Sequence, residues 1–239
     1  VVQNLASNEE VREHHPLLAR REVKSVNVIL ITSDRGLTGG FNTNLIKKAE
    51  AIYREEAKNY SKLAFTCIGK KGYEYLKLRN MPVHEYIPDF QKGLTFARVQ
   101  ALSEKLIHSY EVGEFDEIRV IFSEFRSAIS QVQRCQTLLP VAVDAQEQQS
   151  AAGSIEFLFE PARADILSHL LPRYFVTKMY RALLESAASN YGAQMSAMES
   201  ATKNAGEMIR KLTLEFNKVR QAGITKELLE IVSGAEALK

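Results

Sequence analysis

Hydrophobic residues form short runs over the first two thirds of the chain and then change to a helical spacing. Three short, largely apolar runs, Val26–Thr32, Leu63–Ile68 and Glu117–Phe122, predict buried strands. Two further runs, Ile129–Leu138 and Ile155–Phe159, predict additional strands. Polar or glycine-containing stretches separate these runs, which is typical of strands joined by turns and helices.

Segments with apolar residues at helical spacing lie between the first strands. They predict helices over residues 42–53, Lys70–Arg79 and Phe96–Tyr110, with Asn42 or Thr43 as the cap of the first helix. Strands that alternate with helices predict an α/β domain built on a Rossmann-like, mostly parallel sheet. We expect the late strands to add antiparallel edges.

From Ala162 onward the pattern predicts one long helix and no strand. Pro172 suits the first turn of a helix, so we expect the helix to restart there and to run to about Ala237. At 1.5 Å per residue, about 65 residues span roughly 100 Å, too long to fold back onto a small domain. The predicted organisation is therefore 1–25, the end of a helix and a lead-in; 26–161, the α/β domain; and 162–239, the long C-terminal helix.

Apolar residues in this helix recur at alternating steps of three and four. Such a repeat is typical of a coiled-coil seam, because it keeps one narrow face apolar. The predicted seam consists of Met195, Met198, Thr202, Ala205, Ile209, Leu212, Phe216 and Val219. At Gly223 the repeat changes phase, and Ile224 begins a second apolar face. No helix predicted in the α/β domain is long enough to cover the seam, so its partner is missing sequence, another chain or a second copy.

Composition and charge narrow the function only slightly. The chain has 239 residues, a net charge of +2, 45% hydrophobic and 25% charged residues, which alone predicts neither nucleic acid nor an anionic membrane as a partner. No apolar run is long enough for a membrane-spanning helix. Cys67 and Cys135 are expected to be reduced thiols.

Candidate catalytic chemistry is absent from the pattern. The glycine loop Gly36–Gly40 has neither the spacing of a dinucleotide-binding loop nor that of a P-loop. The five histidines lack metal-ligand spacing with cysteines or carboxylates. We therefore predict no cofactor, no metal site and no catalytic residue.

Two segments resemble a single protein family. The loop Ser33–Asn42 is similar to the loop after the first strand of the γ subunits of F-type ATP synthases, and the tail Asn217–Ala235 resembles that family's C-terminal signature. The segments Leu170–Tyr174 and Ala197–Ala205 also fit. The resemblance covers essentially the whole chain, and its C-terminal signature is long and specific.

The resemblance implies a non-catalytic central rotor that couples rotation of the membrane c-ring to ATP synthesis or hydrolysis. The N- and C-terminal helices of the family wind into an antiparallel coiled coil inside a hexamer of α and β subunits. The α/β domain contacts the ε subunit and the c-ring. The long cysteine-bearing insertion of chloroplast relatives is absent, which favours a bacterial protein at the cytoplasmic face of the inner membrane, with no segment inserted in the membrane.

The same resemblance assigns partner contacts to the tail. Residues matching Arg220, Gln221 and Thr225 face loops of the catalytic subunits in relatives, and Glu227 is grouped with them. Gln194 stands where many relatives carry an arginine. The family's N-terminal helix is expected to be missing from this chain. Basic residues along the helix are open to two interpretations, solvated charges or contacts with acidic loops: Lys203, Arg210, Lys211 and Lys218.

Two other functions compete with the rotor. A nicotinamide or flavin oxidoreductase would explain the α/β domain, but it needs a phosphate-binding loop that the sequence does not show. A structural coiled-coil adaptor would explain the seam but not the C-terminal signature. Co-purification with subunits of a catalytic head would distinguish the rotor from the adaptor.

Overall fold

The computed structural model describes residues 16–18, 21–89, 92–141 and 163–237. Five strands and four helices lie within these ranges. In chain order they are β1 (Ser25–Ile31), α1 (Phe41–Glu56), β2 (Lys62–Ile68), α2 (Lys70–Leu78), β3 (Val83–Ile87), α3 (Phe96–Glu111), β4 (Glu117–Phe125), β5 (Gln131–Leu139) and α4 (Arg163–Glu236). The predicted strand Ile155–Phe159 lies outside the described residues.

The five strands form one mostly parallel sheet in the order β3-β2-β1-β4-β5. The central strand β1 pairs in parallel with β2 and β4, and Val26 lies opposite both Leu63 and Glu117. The last strand, β5, runs antiparallel to β4, with Cys135 opposite Ile121. This arrangement confirms the predicted fold class, a Rossmann-like mostly parallel sheet accompanied by a long C-terminal helix.

Helices cover both faces of the sheet, as a parallel sheet requires. On one face, α3 and the first part of α4 pack against the strands, and the core there includes Ile29, Ile31, Val120, Leu106, Leu171 and Phe175. On the other face, α1 and α2 cover a second core that includes Val28, Leu30, Phe65, Leu45 and Leu76. The central strand is buried from both sides, which explains its nearly continuous apolar run.

The chain divides into two units, residues 1–195 and 196–239. The first contains the α/β domain together with the part of α4 that completes its core. The second consists of the rest of α4, where almost every described side chain is exposed.

The structure corrects the start of the long helix. α4 begins at Arg163, nine residues before Pro172, and this proline lies inside the helix. A proline normally interrupts a helix because it lacks an N–H and its ring crowds the preceding turn. Here the neighbouring Leu171 and Phe175 are fully buried in the domain core. Their packing holds the helix together across Pro172.

Strand β3 was not predicted, and the reason is its position at the edge of the sheet. Its five residues are half-buried or exposed, so they carry no continuous apolar run, and Pro82 precedes it. The strand exists because its backbone pairs with β2, placing Val83 opposite Phe65 and Ile87 opposite Ile68.

An ion-pair cluster ties β4 to its neighbours. The guanidinium of Arg119 donates to Glu117 at 2.8 and 2.9 Å, to Glu56 of α1 at 2.6 Å and to the Tyr60 hydroxyl at 2.9 Å. The hydrogen bond to Glu117 raises the pKa of Arg119, and Glu56 adds to this against the cost of burial. Thr137 of β5 also donates to Glu117, at 3.0 Å. These contacts fix β5 and the end of α1 relative to β4.

Gly69 is the residue on which the junction between β2 and α2 depends. Its φ is +100°, and a Cβ atom there would lie 2.1 Å from the carbonyl oxygen of Thr32. We expect Gly69→Ala to lower the free energy of unfolding by at least about 3 kcal/mol, because steric overlap with backbone adds to the strained φ.

The control is Gly36→Ala, since a Cβ atom at Gly36 meets nothing within 4 Å. It should change stability by less than about 0.5 kcal/mol. Urea unfolding followed by circular dichroism measures both variants. Equal unfolding midpoints for the two would show that the junction tolerates a side chain.

Candidate functional site: an apolar seam on the C-terminal helix

The eight predicted seam residues all lie on α4, and their side chains are all exposed. Met195 is 59% exposed, Ile209 64% and Phe216 67%. Single exposed apolar residues are normal on protein surfaces, but a regular stripe of them marks an interaction site. The stripe is therefore the strongest candidate for a binding surface among the described residues.

The geometry of the stripe fits a coiled coil. A straight α-helix turns about 100° per residue, so residues seven apart drift by about 20° around the axis. The stripe from Met195 to Val219 follows this drift, and a partner helix would keep it covered by winding around α4 in a left-handed sense. Sequence spacing and helix geometry thus agree on the kind of partner.

The structure extends the stripe beyond the predicted seam. Leu184 is 45% exposed and Tyr191 65% exposed, although both belong to the part of α4 that packs on the domain. Together with Ala188 they continue the same alternation of four- and three-residue steps up to Met195. The spacing was present in the sequence, but only the exposure separates these residues from neighbours such as Leu183, which is buried.

The four predicted contact residues divide between two sides of the helix. Relative to Phe216, Arg220 lies about 40° around the axis and Gln221 about 140°. Thr225 lies close to Gln221, and Glu227 lies on the side of Arg220. All four side chains are exposed. If the stripe faces a partner helix, Gln221 and Thr225 point away from that partner.

The Thr225 hydroxyl is already engaged within the helix. It donates to the carbonyl oxygen of Gln221 at 2.9 Å. The hydroxyl oxygen keeps lone pairs with which it can accept a hydrogen bond. Thr213 makes the same kind of bond, to the carbonyl oxygen of Ile209 at 2.8 Å. Nearby, Lys226 and Glu230 form an exposed ion pair at 3.7 Å.

At the carboxyl end of the sheet, the protein itself occupies the amides that a phosphate group would need. The first N–H groups of α2, those of Lys70, Lys71 and Gly72, donate to Asp34 Oδ1, the Ser33 carbonyl oxygen and Thr32 Oγ1 at 3.0, 3.1 and 2.9 Å. Helix N-termini bind anions through such free N–H groups. The geometry therefore favours a structural role for this loop.

Asn42 braces the same loop and does not cap α1, which corrects the predicted cap. The helix begins at Phe41, with Gly40 as the N-cap and no side-chain cap. The Asn42 amide donates to Ser33 Oγ at 2.7 Å and Thr38 Oγ1 at 3.1 Å, and its oxygen accepts from the Ser33 N–H at 3.0 Å. The loop is held in place by side-chain bonds within the first unit.

Gln194 lies at this end of the sheet as well. It is half-buried and lines a cavity of about 210 Å³ together with Tyr191, Lys92 and the loop after β1.

Cys67 and Cys135 are both free thiols, and burial raises the pKa of Cys67 to about 12. Within the described ranges, no helix is both long and apolar enough to span a bilayer.

Comparison with protein families gives one match over nearly the whole chain. The sequence model of the family described as ATP synthase matches residues 1–238. The ATP synthase gamma chain of Anaeromyxobacter dehalogenans is 46% identical over 98% of this chain and 79% of its own length. That of Bdellovibrio bacteriovorus is 42% identical over 100% of this chain and 82% of its own length.

Solved structures with a similar fold come from rotary ATP synthases. The central stalk and c-ring structure of the Tetrahymena thermophila mitochondrial ATP synthase contains a chain with 27% identity and a TM-score of 0.63, over 84% of this chain and 86% of that one. A chain of the Euglena gracilis mitochondrial ATP synthase has 18% identity and a TM-score of 0.68, over 99% and 85%. The second likeness concerns the fold alone.

The exposed stripe predicts how the 239-residue chain behaves by itself. Burying a large apolar side chain stabilises the folded or paired state by about 1.5–3 kcal/mol. An isolated helix without packing partners is only marginally stable in water. We expect the residues beyond the first unit, from about Ser196 onward, either to be cut readily by protease or to pair with a second copy along the stripe. Limited proteolysis with size-exclusion chromatography measures this. A strictly monomeric chain with a protease-resistant tail would contradict the seam.

If copies pair, a charge on the seam should separate them. Leu212→Asp is expected to return the chain to a monomer, because a carboxylate cannot be buried in the seam without a partner. Leu214→Asp is the matched control, since Leu214 is 71% exposed and lies about 160° from Leu212 around the helix. Loss of pairing in both variants would mean that the contact is not the seam.

Proposed function

The chain belongs to the ATP synthase gamma-chain family, and from this membership we propose that it serves as the central rotor of a proton-translocating rotary ATP synthase. In this role α4 is the shaft, and the α/β domain is the part that contacts the membrane ring. Turning of the ring rotates the shaft, and the shaft carries the catalytic subunits through their binding states. ATP hydrolysis drives the same motion in reverse.

The structural observation that supports the proposal is the exposed apolar stripe of α4. It keeps one narrow face predominantly apolar from Met195 to Val219, and most exposed side chains outside that face are polar, with Met208 and Leu214 as exceptions. A helix of this kind needs one helical partner, and the rotor assigns that place to the family's N-terminal helix. The polar faces are then free to slide past surrounding subunits, because charged and polar groups remain solvated between contacts.

Gln221 and Thr225 are the residues proposed to contact the catalytic subunits. They lie on the side of the helix that points away from the stripe. The Gln221 amide can donate or accept a hydrogen bond, and the Thr225 hydroxyl, whose proton is bound to the Gln221 carbonyl oxygen, can accept one, so both can exchange partners as the shaft turns. Arg220 and Glu227 lie nearer the stripe, where a planar guanidinium suits carboxylates at the border between the two surfaces.

The remaining partners follow from the same role. The α and β subunits of the catalytic head surround the shaft, and the ε subunit and the c-ring contact the α/β domain. The protein acts without catalysis, cofactor or metal of its own, and the catalytic residues belong to its partners. It works at the cytoplasmic face of a bacterial inner membrane as a peripheral subunit.

The purified chain is expected to hydrolyse no ATP. The full-length protein, mixed with catalytic-head subunits, should support ATP hydrolysis coupled to rotation. A coupled phosphate-release assay measures hydrolysis in both samples, and a bead attached to the α/β domain reports rotation. ATPase activity that stays with the pure chain through successive purification steps would contradict a non-catalytic role.

Gln221→Ala and Thr225→Val are expected to reduce ATPase activity of the assembled complex, because each removes a group proposed to bind a catalytic subunit. A lost hydrogen bond corresponds to about 1 kcal/mol, or roughly a fivefold change. Thr213→Val is the control, since it removes an equivalent hydroxyl bond from the same helix. Melting temperatures should not change. A melting temperature that falls in parallel with activity would indicate a role in stability alone.

A further inference from the structure

The interface between α4 and the α/β domain changes character along the helix. Its first part is held by large apolar side chains: Leu171, Phe175 and Met179 are each at most 1% exposed. From Ser186 onward the buried α4 residues are smaller, namely Ser186, Ser189, Asn190 and Ala193. Ser186 and Ser189 are fully buried, and the hydroxyl oxygens of Ser123 and Ser186 have no hydrogen-bond partner among the described residues. Close approach of the two surfaces therefore replaces bulky packing.

Two contacts define this last part of the interface. The Ser189 hydroxyl donates a buried hydrogen bond to the carbonyl oxygen of Ser123 in β4, at 3.0 Å. One turn further, a Cβ atom at Gly192 would lie 3.2 Å from the Cα of Ala128 and 3.2 Å from the ring of Phe125. The β4–β5 hairpin thus sits in the notch that the missing side chain of Gly192 leaves on the helix.

A notch of this kind resists rotation of the helix about its own axis. If α4 turned relative to the sheet, side chains on either side of Gly192 would meet the backbone of the hairpin, and the Ser189 bond would break. Protein interiors are close-packed, so such a contact transmits displacement with little slack. Beyond Gly192, Ala193 is still buried and Gln194 lines the cavity beside the loop after β1, and from Met195 onward most α4 side chains are exposed. The contacts of Ser189 and Gly192 therefore lie within the last two turns of α4 that pack on the domain.

We propose that Ser189 and Gly192 are positioning residues that transmit turning force between the α/β domain and the shaft. This inference rests on the proposed rotor function and names the contacts through which the turning force passes. Force enters at the β4–β5 hairpin, through Ala128 and Phe125, and at the end of β4, through Ser123. The buried apolar part of α4 anchors the helix, and the notch fixes its rotational setting.

The test uses the full-length protein in its complete ATP synthase, reconstituted into vesicles. Gly192→Ala should lower the number of protons pumped per ATP hydrolysed by about threefold to tenfold, because the added methyl group crowds Ala128 and Phe125 and shifts the helix from its rotational setting. The rate of ATP hydrolysis should fall less. Gly206→Ala is the control, because a Cβ atom there meets nothing within 4 Å and the change raises helix propensity equally.

Ser189→Ala keeps the proposal testable if Gly192→Ala does not assemble. It should lower the same ratio, whereas Thr177→Ala, which removes a hydroxyl bond made within α4 to Arg173, should not. Pumping ratios equal to wild type in both Ser189→Ala and Gly192→Ala would overturn the inference. If the wild-type protein itself fails to couple hydrolysis to pumping, the proposed rotor function fails instead.

Discussion

The structure depends on one helix, α4, which packs into the domain core in its first part and exposes an apolar stripe in its last part. In its first part α4 completes the core of the α/β domain, where Leu171, Phe175 and Met179 are buried. In its last part the same helix exposes a regular apolar stripe. A single helix cannot cover its own stripe, because its side chains all point outward from one axis. Removing the stripe from water therefore requires another helix, and this requirement defines the interaction.

The loop after β1 and the start of α2 are joined by a close backbone contact and by hydrogen bonds. Gly69 allows the chain to pass close to the Thr32 carbonyl group, and Ser33, Asp34 and Thr32 occupy the first amides of α2. The fold has the topology of nucleotide-binding domains, but its loop is closed by its own side chains. The topology shared with nucleotide-binding domains here supports the first part of α4. Function is therefore decided by the site rather than by the fold.

The close contact at Gly192 and the open position at Gly206 show how glycines in one helix can differ. The first leaves a notch for the β4–β5 hairpin, whereas the second meets nothing. Both weaken the helix by the same intrinsic amount relative to alanine. Only at Gly192 does a neighbouring backbone use the space, so the rotational setting of α4 on the domain is specified there.

The sequence by itself determined the central strands, the helices between them, the family and the stripe, because each is a periodic pattern or a long signature. Tertiary structure decided what depends on neighbours. Strand β3 forms through pairing with β2, and α4 continues through Pro172 because Leu171 and Phe175 are buried. Exposure alone added Leu184 and Tyr191 to the stripe. Local sequence carries spacing, whereas burial arises from residues distant in the chain.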